Sequence, residues 1–492
     1  MRDSIYGMIW MACYVLLAGG LSIYCFHRLF ILFLYFRHKA DRPEPQSRFA
    51  QLPFITVQIP LYNEMYVAGR LLDAVAAIDY PRDRLEIQVL DDSTDDTVDL
   101  VATKVADLQA RGFAAEHVRR GTRQGFKAGA LAHGLNTARG EFLAIFDADF
   151  IPNPNIFRRC IDHFTDTRLG MIQTRWDHLN RDYSLLTRLQ AIFLDGHLLL
   201  EQTARARSGR FFNFNGTAGI WRKDCIVDAD GWHADTLTED LDLSYRAQLA
   251  QWRFLFLPDL VTPAELPVEM NAFKTQQHRW AKGSIQTCKK LLPAVWRAPL
   301  SLPIKIEATF HLTSNFAYLL FLLLCVIVNP AISPQRTEIL LPWLPDLPIF
   351  SCAVWAVVLF YIVVLRELRP RWWLELWCIP AVLALGVGMS ISNAKAVLEA
   401  MFNQGGAFVR TPKYGLLSRG EPWRGKRYFA MPSALVLFEL AAAAYFAEII
   451  WIAARDANWG SVPFLFFFFG GFAYVAATSL MPPKAAAASP NV

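Results

Sequence analysis

Pairs of carboxylates at the ends of apolar runs carry most of the chemistry legible in this sequence. Asp91-Asp92 follows Leu85-Glu86-Ile87-Gln88-Val89-Leu90, and Asp147-Ala148-Asp149 follows Phe142-Leu143-Ala144-Ile145-Phe146. Residues two apart on a strand share a face, so Asp147 and Asp149 can offer oxygens to one Mg2+ or Mn2+ that keeps open positions for phosphate oxygens. Asp91 and Asp92 suit hydrogen bonds to the base or ribose of a nucleotide; Thr94 or Asp95 in the same stretch also reads as a helix N-cap. Thr238-Glu239-Asp240 precedes a helical stretch. Acids in a first turn favour the helix dipole, and by itself that explains them. The functional alternative makes Asp240 a general base at a helix start facing a cleft.

Two further segments combine cations with groups that bind phosphate or sugar. Gln276-Gln277-His278-Arg279-Trp280 sets a planar guanidinium beside an indole. Such a pair serves as an interfacial anchor at a membrane surface, and equally as a grip for a diphosphate with a platform for a sugar ring. Phe408-Val409-Arg410-Thr411-Pro412-Lys413 lies in a polar loop and reads either as a basic connector or as a loop whose Thr411 and Lys413 close over a diphosphate.

The elements that must position these groups alternate. Strands are expected at 54–60, 85–90 and 142–146, with helices at 66–79, at 95–111 and from Gly125-Phe126-Lys127 onward. Alternating strands and helices predict a mostly parallel sheet, and both acidic pairs fall at the carboxyl ends of its strands, the edge where open α/β sheets bind ligands.

The whole chain does not fit one soluble core. Of 492 residues 54% are apolar, and apolar runs occur at 8–35, 306–330, 349–365, 373–393, 433–454 and 461–480, several near the ~20 residues that cross a bilayer. The expected organisation is a retained membrane anchor (1–36), a linker (37–53), an α/β domain (54–270), interfacial helices (271–305), a membrane region (306–480) with a polar loop at 402–428, and a disordered tail (481–492). Basic residues just beyond the first span, Arg37 to Arg42, place the large domain on the cytosolic side and account for the net charge of +5 better than nucleic-acid binding does. Eight cysteines without paired spacing imply neither disulfides nor zinc. If the domain and the 402–428 loop share a side, an even number of crossings separates them. Three apolar runs lie between, so 373–393, preceded by Arg366, Arg369 and Arg371, is expected to be interfacial or re-entrant.

Taken together, the Asp pair, the DxD, Thr-Glu-Asp, Gln-x-x-Arg-Trp and the FxxTxK-like loop, in this order over residues 54–415, resemble the processive family 2 glycosyltransferases of the cellulose synthase superfamily. The resemblance is nearest to cellulose-synthase-like mannan and xyloglucan-backbone synthases, through Phe212-Asn213-Phe214-Asn215-Gly216-Thr217-Ala218-Gly219 and Gln276 to Trp280. It implies a GT-A (Rossmann-like) cytosolic catalytic domain inserted between α-helical transmembrane segments. It also implies nucleotide contacts from Asp91, Asp92 and Lys127, phosphate and metal contacts from Asp147 and Asp149, and Asp240 as base with Glu239 beside it in the substrate site. Gln276, Arg279 and Trp280 would line the acceptor end and the diphosphate, with Thr411 and Lys413 on a gating loop. Ser93 and Arg410 depart from the glycine and valine usual at their positions.

The expected reaction is a single inverting displacement that builds a β-linked hexose polymer from UDP-glucose or GDP-mannose, with Mg2+ or Mn2+, a growing glycan as acceptor, and membrane lipid around the spans. The competing readings are transfer of one sugar to a lipid acceptor, and a non-catalytic nucleotide-sensing transporter, whose spans should carry ionisable residues. An export partner is compatible with this scheme.

Overall fold

The computed structural model describes residues 2–332, 348–403, 409–423 and 425–481. Phe408 and the tail from 482 onward, which the sequence reading assigned to the loop motif and to disorder, lie outside the described residues.

The polar half of the chain builds a seven-stranded sheet from β1 (Ile55–Leu61), β2 (Leu85–Asp91), β3 (Ala114–Val118), β4 (Phe142–Ile145), β5 (Leu169–His178), β6 (Gly219–Arg222) and β7 (Arg253–Ala264), in the order β3-β2-β1-β4-β6-β5-β7. β1, β2, β3 and β4 run parallel, Ile55 pairing with both Leu85 and Phe142, while β6 runs antiparallel to its two neighbours. The strand order reverses between β1 and β4, which opens a crevice at their carboxyl ends. Alternation along β1 sends Ile55, Val57 and Ile59 into a core with Leu71, Leu72 and Val75 of helix Ala68–Ala76 and Val101 and Val105 of helix Thr97–Ala110. Leu90, Leu143 and Ile145 pack on the opposite face against Leu131 of helix Phe126–Thr137 and against Trp221. Strand β3 had no counterpart among the expected elements. Its Ala-Ala-Glu-His-Val has no apolar alternation because it is a partly exposed edge.

Among the described residues four helices are long and apolar enough to cross a membrane, Met8–His38, Cys378–Met401, Leu435–Arg455 and Val462–Ser479, and a fifth span arises if the pair Leu302–Thr313 and Phe316–Ile327 counts as one. That pair covers the apolar run expected at 306–330. The helix bends by 57° at Ser314-Asn315, where the Thr313 and Ser314 hydroxyls donate to the carbonyls of Thr309 and His311 and compete with the backbone ladder. The N-terminal helix is fastened to this region by Tyr24, whose hydroxyl donates to Thr313 Oγ1 at 3.0 Å, and to helix Pro348–Leu368 by Tyr35 and Lys39, which donate to Glu367 at 2.7 and 2.9 Å.

The apolar run 373–393 becomes a 3-10 turn, Trp372–Glu375, followed by helix Cys378–Met401. Both ends of this segment touch the α/β side of the molecule. Glu375 pairs with Arg181 before the helix; at its far end Glu399 accepts from Lys282 at 3.0 Å, and Lys289 donates to the Met401 carbonyl at 2.8 Å. Lys282 and Lys289 belong to the 28-residue helix Met270–Arg297, which lies between sheet and membrane helices. Its Lys274 forms a buried 2.5 Å ion pair with Glu439 of helix Leu435–Arg455.

Candidate active site

A cavity of about 190 Å3 opens at the carboxyl ends of β1, β2 and β4. Eleven of the twelve site residues expected from sequence line it: Asp92, Lys127, Asp147, Asp149, Glu239, Asp240, Gln276, Arg279, Trp280, Thr411 and Lys413. Asp91 stands apart. It is 1% exposed, accepts from the Ser93 amide and pairs with His117 at 2.8 Å, so it braces the loop rather than facing the cavity. Ser93 has work of its own, its buried hydroxyl accepting from the Asn63 amide at 2.8 Å, which ties the loop after β2 to the loop after β1. Asp95, rather than Thr94, takes the amide of Thr97 at the helix start.

Asp92, Asp147 and Asp149 each face a cation. Arg120 forks onto Asp92 through Nε and a terminal nitrogen. Lys127, the second residue of its helix, donates to Asp147 Oδ1 at 2.5 Å and to the Gly216 carbonyl at 2.9 Å. Lys413 donates to Asp149 Oδ2 at 2.7 Å and to the Glu265 carbonyl at 2.8 Å. Burial pulls the Lys127 ammonium down, but Asp147, Glu239 and Asp240 outweigh it and its pKa is raised. Two carboxylates in the turn just after β4, each matched by a cation, are a donor set of the hard-oxygen type that Mg2+ or Mn2+ takes, so the residues present fit such an ion.

Asp240 sits half-buried in the first turn of helix Glu239–Leu249, with its Oδ1 accepting from the Leu241 amide at 2.8 Å. Burial and the neighbouring Glu239 push its carboxyl up to about 7 against the pull of Lys127. It is held there from below: Gly216 has φ +82°, and a Cβ on it would lie 2.9 Å from Asp240 Oδ2. Gln276, Arg279 and Trp280 project from one face of helix Met270–Arg297 into the same cavity. Burial lowers the pKa of Arg279, opposed by Glu239, Asp147 and Asp240.

The loop carrying Thr411 and Lys413 is docked. Arg410 forks onto Glu64 at 2.8 and 2.6 Å, Glu265 accepts from the Tyr414 and Gly415 amides at 2.8 Å each, and Glu269 accepts from the Tyr414 hydroxyl at 2.7 Å. Glu64 and Glu265 were not among the expected site residues. Glu64 follows β1 at the same sheet edge, so the rule that found the acids after β2 and β4 applies to it too. Burial raises its pKa to about 7, with Arg410 opposing and Asp149 reinforcing the rise.

A second cavity of about 250 Å3 lies on the membrane side. The two share walls: Trp176, Asn215, Thr238, Asp240 and Trp280 line both. Tyr318, Phe360 and Tyr361 from the membrane helices complete the second one.

Residues 53–283 match the family described as glycosyltransferase like family 2. Glucomannan 4-beta-mannosyltransferase 1 of Oryza sativa subsp. japonica is 32% identical over 451 residues, 88% of this chain and 83% of that protein. Glucomannan 4-beta-mannosyltransferase 2 of Arabidopsis thaliana is 42% identical over 253 residues, 50% of this chain and 47% of that one; a probable glucomannan 4-beta-mannosyltransferase 4 of rice is 37% identical over 59% of this chain and 55% of its own. The chain thus spans about half the length of several curated relatives it matches. Among solved structures, a mannosyltransferase from Pyrobaculum calidifontis in complex with GDP-Man and Mn2+ has the same fold, with a TM-score of 0.54 at 20% identity, over 80% of this chain and 100% of that one. The acidic strand ends, the helix bearing Arg279 and Trp280 and the flanking apolar helices are therefore a GT-A-like catalytic domain within a membrane protein, and the chain belongs to glycosyltransferase family 2.

Proposed function

We propose that this protein is an inverting hexosyltransferase that extends a β-linked glycan from a nucleoside-diphosphate sugar, with GDP-mannose as the donor. The observation that carries the proposal is the wall common to the two cavities. Asp240 and Trp280 stand between a charged cavity suited to a nucleotide diphosphate and an aromatic cavity suited to sugar rings. The mannosyl names of the relatives and the GDP-Man held by the archaeal neighbour support the choice of sugar.

An acceptor hydroxyl entering from the membrane side lies on the face of the donor opposite its leaving group. Asp240 takes the hydroxyl proton as the oxygen bonds to the anomeric carbon and the bond from that carbon to the diphosphate oxygen breaks. One displacement converts an α-linked donor into a β-linked product. Arg279 and Lys127 offset the charge that grows on the departing diphosphate, and Thr411 and Lys413 cover it from the docked loop. Asp147 and Asp149 would hold a divalent cation, Mg2+ or Mn2+, which supplies electrostatic stabilisation to the same phosphates. Trp280 offers its indole to the terminal acceptor ring.

The α/β domain and the 409–423 loop form one cytosolic face in this reading. The contacts at both ends of segment 372–401 with that face support a helix that lies along the membrane rather than through it, which leaves the bent pair Leu302–Thr313 and Phe316–Ile327 and the apolar helix Pro348–Leu368 as two crossings between domain and loop. The test is a panel of radiolabelled UDP- and GDP-sugars with Mg2+ or Mn2+ and the detergent-solubilised protein. Consumption of GDP-mannose with label appearing in glycan supports the proposal; exclusive use of another donor refutes the sugar, and label confined to a lipid extract refutes the polymer.

A further inference from the structure

The second half of helix Met270–Arg297 carries polar groups that the reaction above does not use. Gln276, Arg279 and Trp280 lie on one face of this helix, and Gly283, Gln286, Thr287 and Lys290 continue that face by steps of three and four residues. Each member of the continuation meets the segment that leads into Asp240. A Cβ on Gly283 would lie 2.5 Å from Thr238 Cγ2 and 2.9 Å from the Thr238 amide nitrogen, so only glycine lets the helix approach the residue before Glu239 this closely. Gln286 Oε1 accepts from the Leu237 amide at 2.9 Å, and the Thr287 and Thr238 hydroxyls lie 3.2 Å apart.

Lys290 closes the stripe. Its ammonium donates to Asp235 Oδ1 at 2.8 Å and to His233 Nδ1 at 3.0 Å, and it pairs with Asp242 Oδ1 at 2.8 Å. His233, Asp235 and Asp242 bring ligand atoms within 4.8 Å of one another, a grouping of the kind that holds a metal ion, and the lysine nitrogen is the cation they share. Asp242 is fully buried and stands two residues beyond Asp240. Its other oxygen accepts from Arg246, which also donates to the carbonyls of Ala229 and Gly231. Charge thus ties the loop before Thr238 to the first turn of helix Glu239–Leu249, and both to Lys290. Farther along, that helix rests on apolar contact, Tyr245 sharing a core with Leu291 and Val295. Apolar contact is non-directional, whereas buried ion pairs are best attested as devices that fix register.

We propose that Lys290, with Gly283, Gln286 and Thr287, positions Asp240 against Trp280: the stripe sets the start of the base-bearing helix at a fixed offset from the face that carries Arg279 and Trp280. This rests on the assignment of Asp240 as base above. Trp280 and Gly283 are about 4.5 Å apart along the helix axis, so a slip of the docked segment changes the distance from Asp240 to the indole directly. The nucleotide side is held by other elements. Asp92 and Asp149 come from the loops after β2 and β4, and Lys127 from helix Phe126–Thr137. Loss of the dock therefore lowers turnover and leaves nucleotide binding in place, and a misplacement of about 1 Å can lower a rate ~10²-fold. Lys290 is a positioning residue that acts through Asp242 on Asp240.

The test compares kcat with the affinity for GDP or UDP, according to the donor consumed, in the full-length protein. Lys290→Met leaves Arg246 on Asp242, so the buried carboxylate keeps a cation and the variant is expected to fold. Its kcat should fall by about tenfold or more while nucleotide affinity stays within about threefold, and Lys290→Arg, which returns the cation, should be at least about threefold more active than Lys290→Met. A smaller fall in kcat overturns the inference, as does a fall accompanied by a larger loss of nucleotide affinity, or a Lys290→Arg protein that misses that margin. Should Lys290→Met not fold, Gln286→Met, which changes no charge, takes its place in the same comparison with a fall of about threefold as the threshold. An Asp240→Asn protein with undiminished kcat would instead overturn the assignment of the base itself.

Discussion

At the scale of single residues, the proposed mechanism turns on how the half-buried Asp240 is kept basic. As the proposed base, with its carboxyl raised to about 7 by desolvation and Glu239, Asp240 would be protonated below that pH and competent above it. The rate kcat/KM is therefore expected to climb with pH through about 7 and level off. Glu239→Gln removes a raising charge and should move the midpoint down; Lys127→Gln removes a lowering charge and should move it up. A pH profile of each variant checks both signs. Asp240→Asn should lower kcat by about 10²- to 10⁴-fold, the usual worth of a positioned base. Most of these residues were legible in the sequence, because a pair of acids directly after an apolar strand is a strong local pattern. Lys290, His233 and Asp235 were not. They are single polar groups on separate segments, and only the packing of helix Met270–Arg297 on the start of helix Glu239–Leu249 brings them together.

At the scale of elements, two backbone segments set the geometry. Gly216 at φ +82° turns the chain under Asp240. Gly216→Ala should cost about 1 kcal/mol of stability from the left-handed backbone alone, and displacing Asp240 should lower kcat by more than tenfold; thermal unfolding and kinetics together separate the two effects. The loop 409–423 is held by buried acids from the segment after β7. Hydrogen bonds to a charged group contribute about 1.5–3 kcal/mol each, so Glu265→Gln should free the loop, raise the donor KM by about tenfold or more and speed limited proteolysis near residue 415. The motif bearing Thr411 and Lys413 could be read from sequence, whereas its latch could not, since Glu265 and Glu269 lie in a stretch with no periodicity. The bend at Ser314-Asn315 escaped for a related reason: hydropathy registers apolar content and is blind to hydroxyls that compete for backbone carbonyls.

At the scale of the whole molecule, catalytic domain and membrane helices are one packed body. Ile31, Leu32, Leu34 and Tyr35 of the N-terminal helix share a core with Leu189 and Ile192 of the α/β half and with Phe360 and Leu385 of the membrane half. Deleting residues 1–37 would expose that core, and the truncated protein is expected in the insoluble fraction or aggregated on size exclusion, even though the sheet lies entirely outside the deletion. The overall division into sheet and apolar helices was visible in the composition and in the two periodicities. The shared core was not, since it depends on contacts between segments hundreds of residues apart. The most direct test of the central claim, that Asp240 joins a nucleotide cavity to a membrane-side acceptor cavity, is the size and anomeric configuration of product made from labelled GDP-mannose by the unaltered protein and by Asp240→Asn. High-molecular-weight glycan with β anomeric signals, lost in the variant, is the predicted result; an α-linked product, or equal synthesis by Asp240→Asn, would contradict the account.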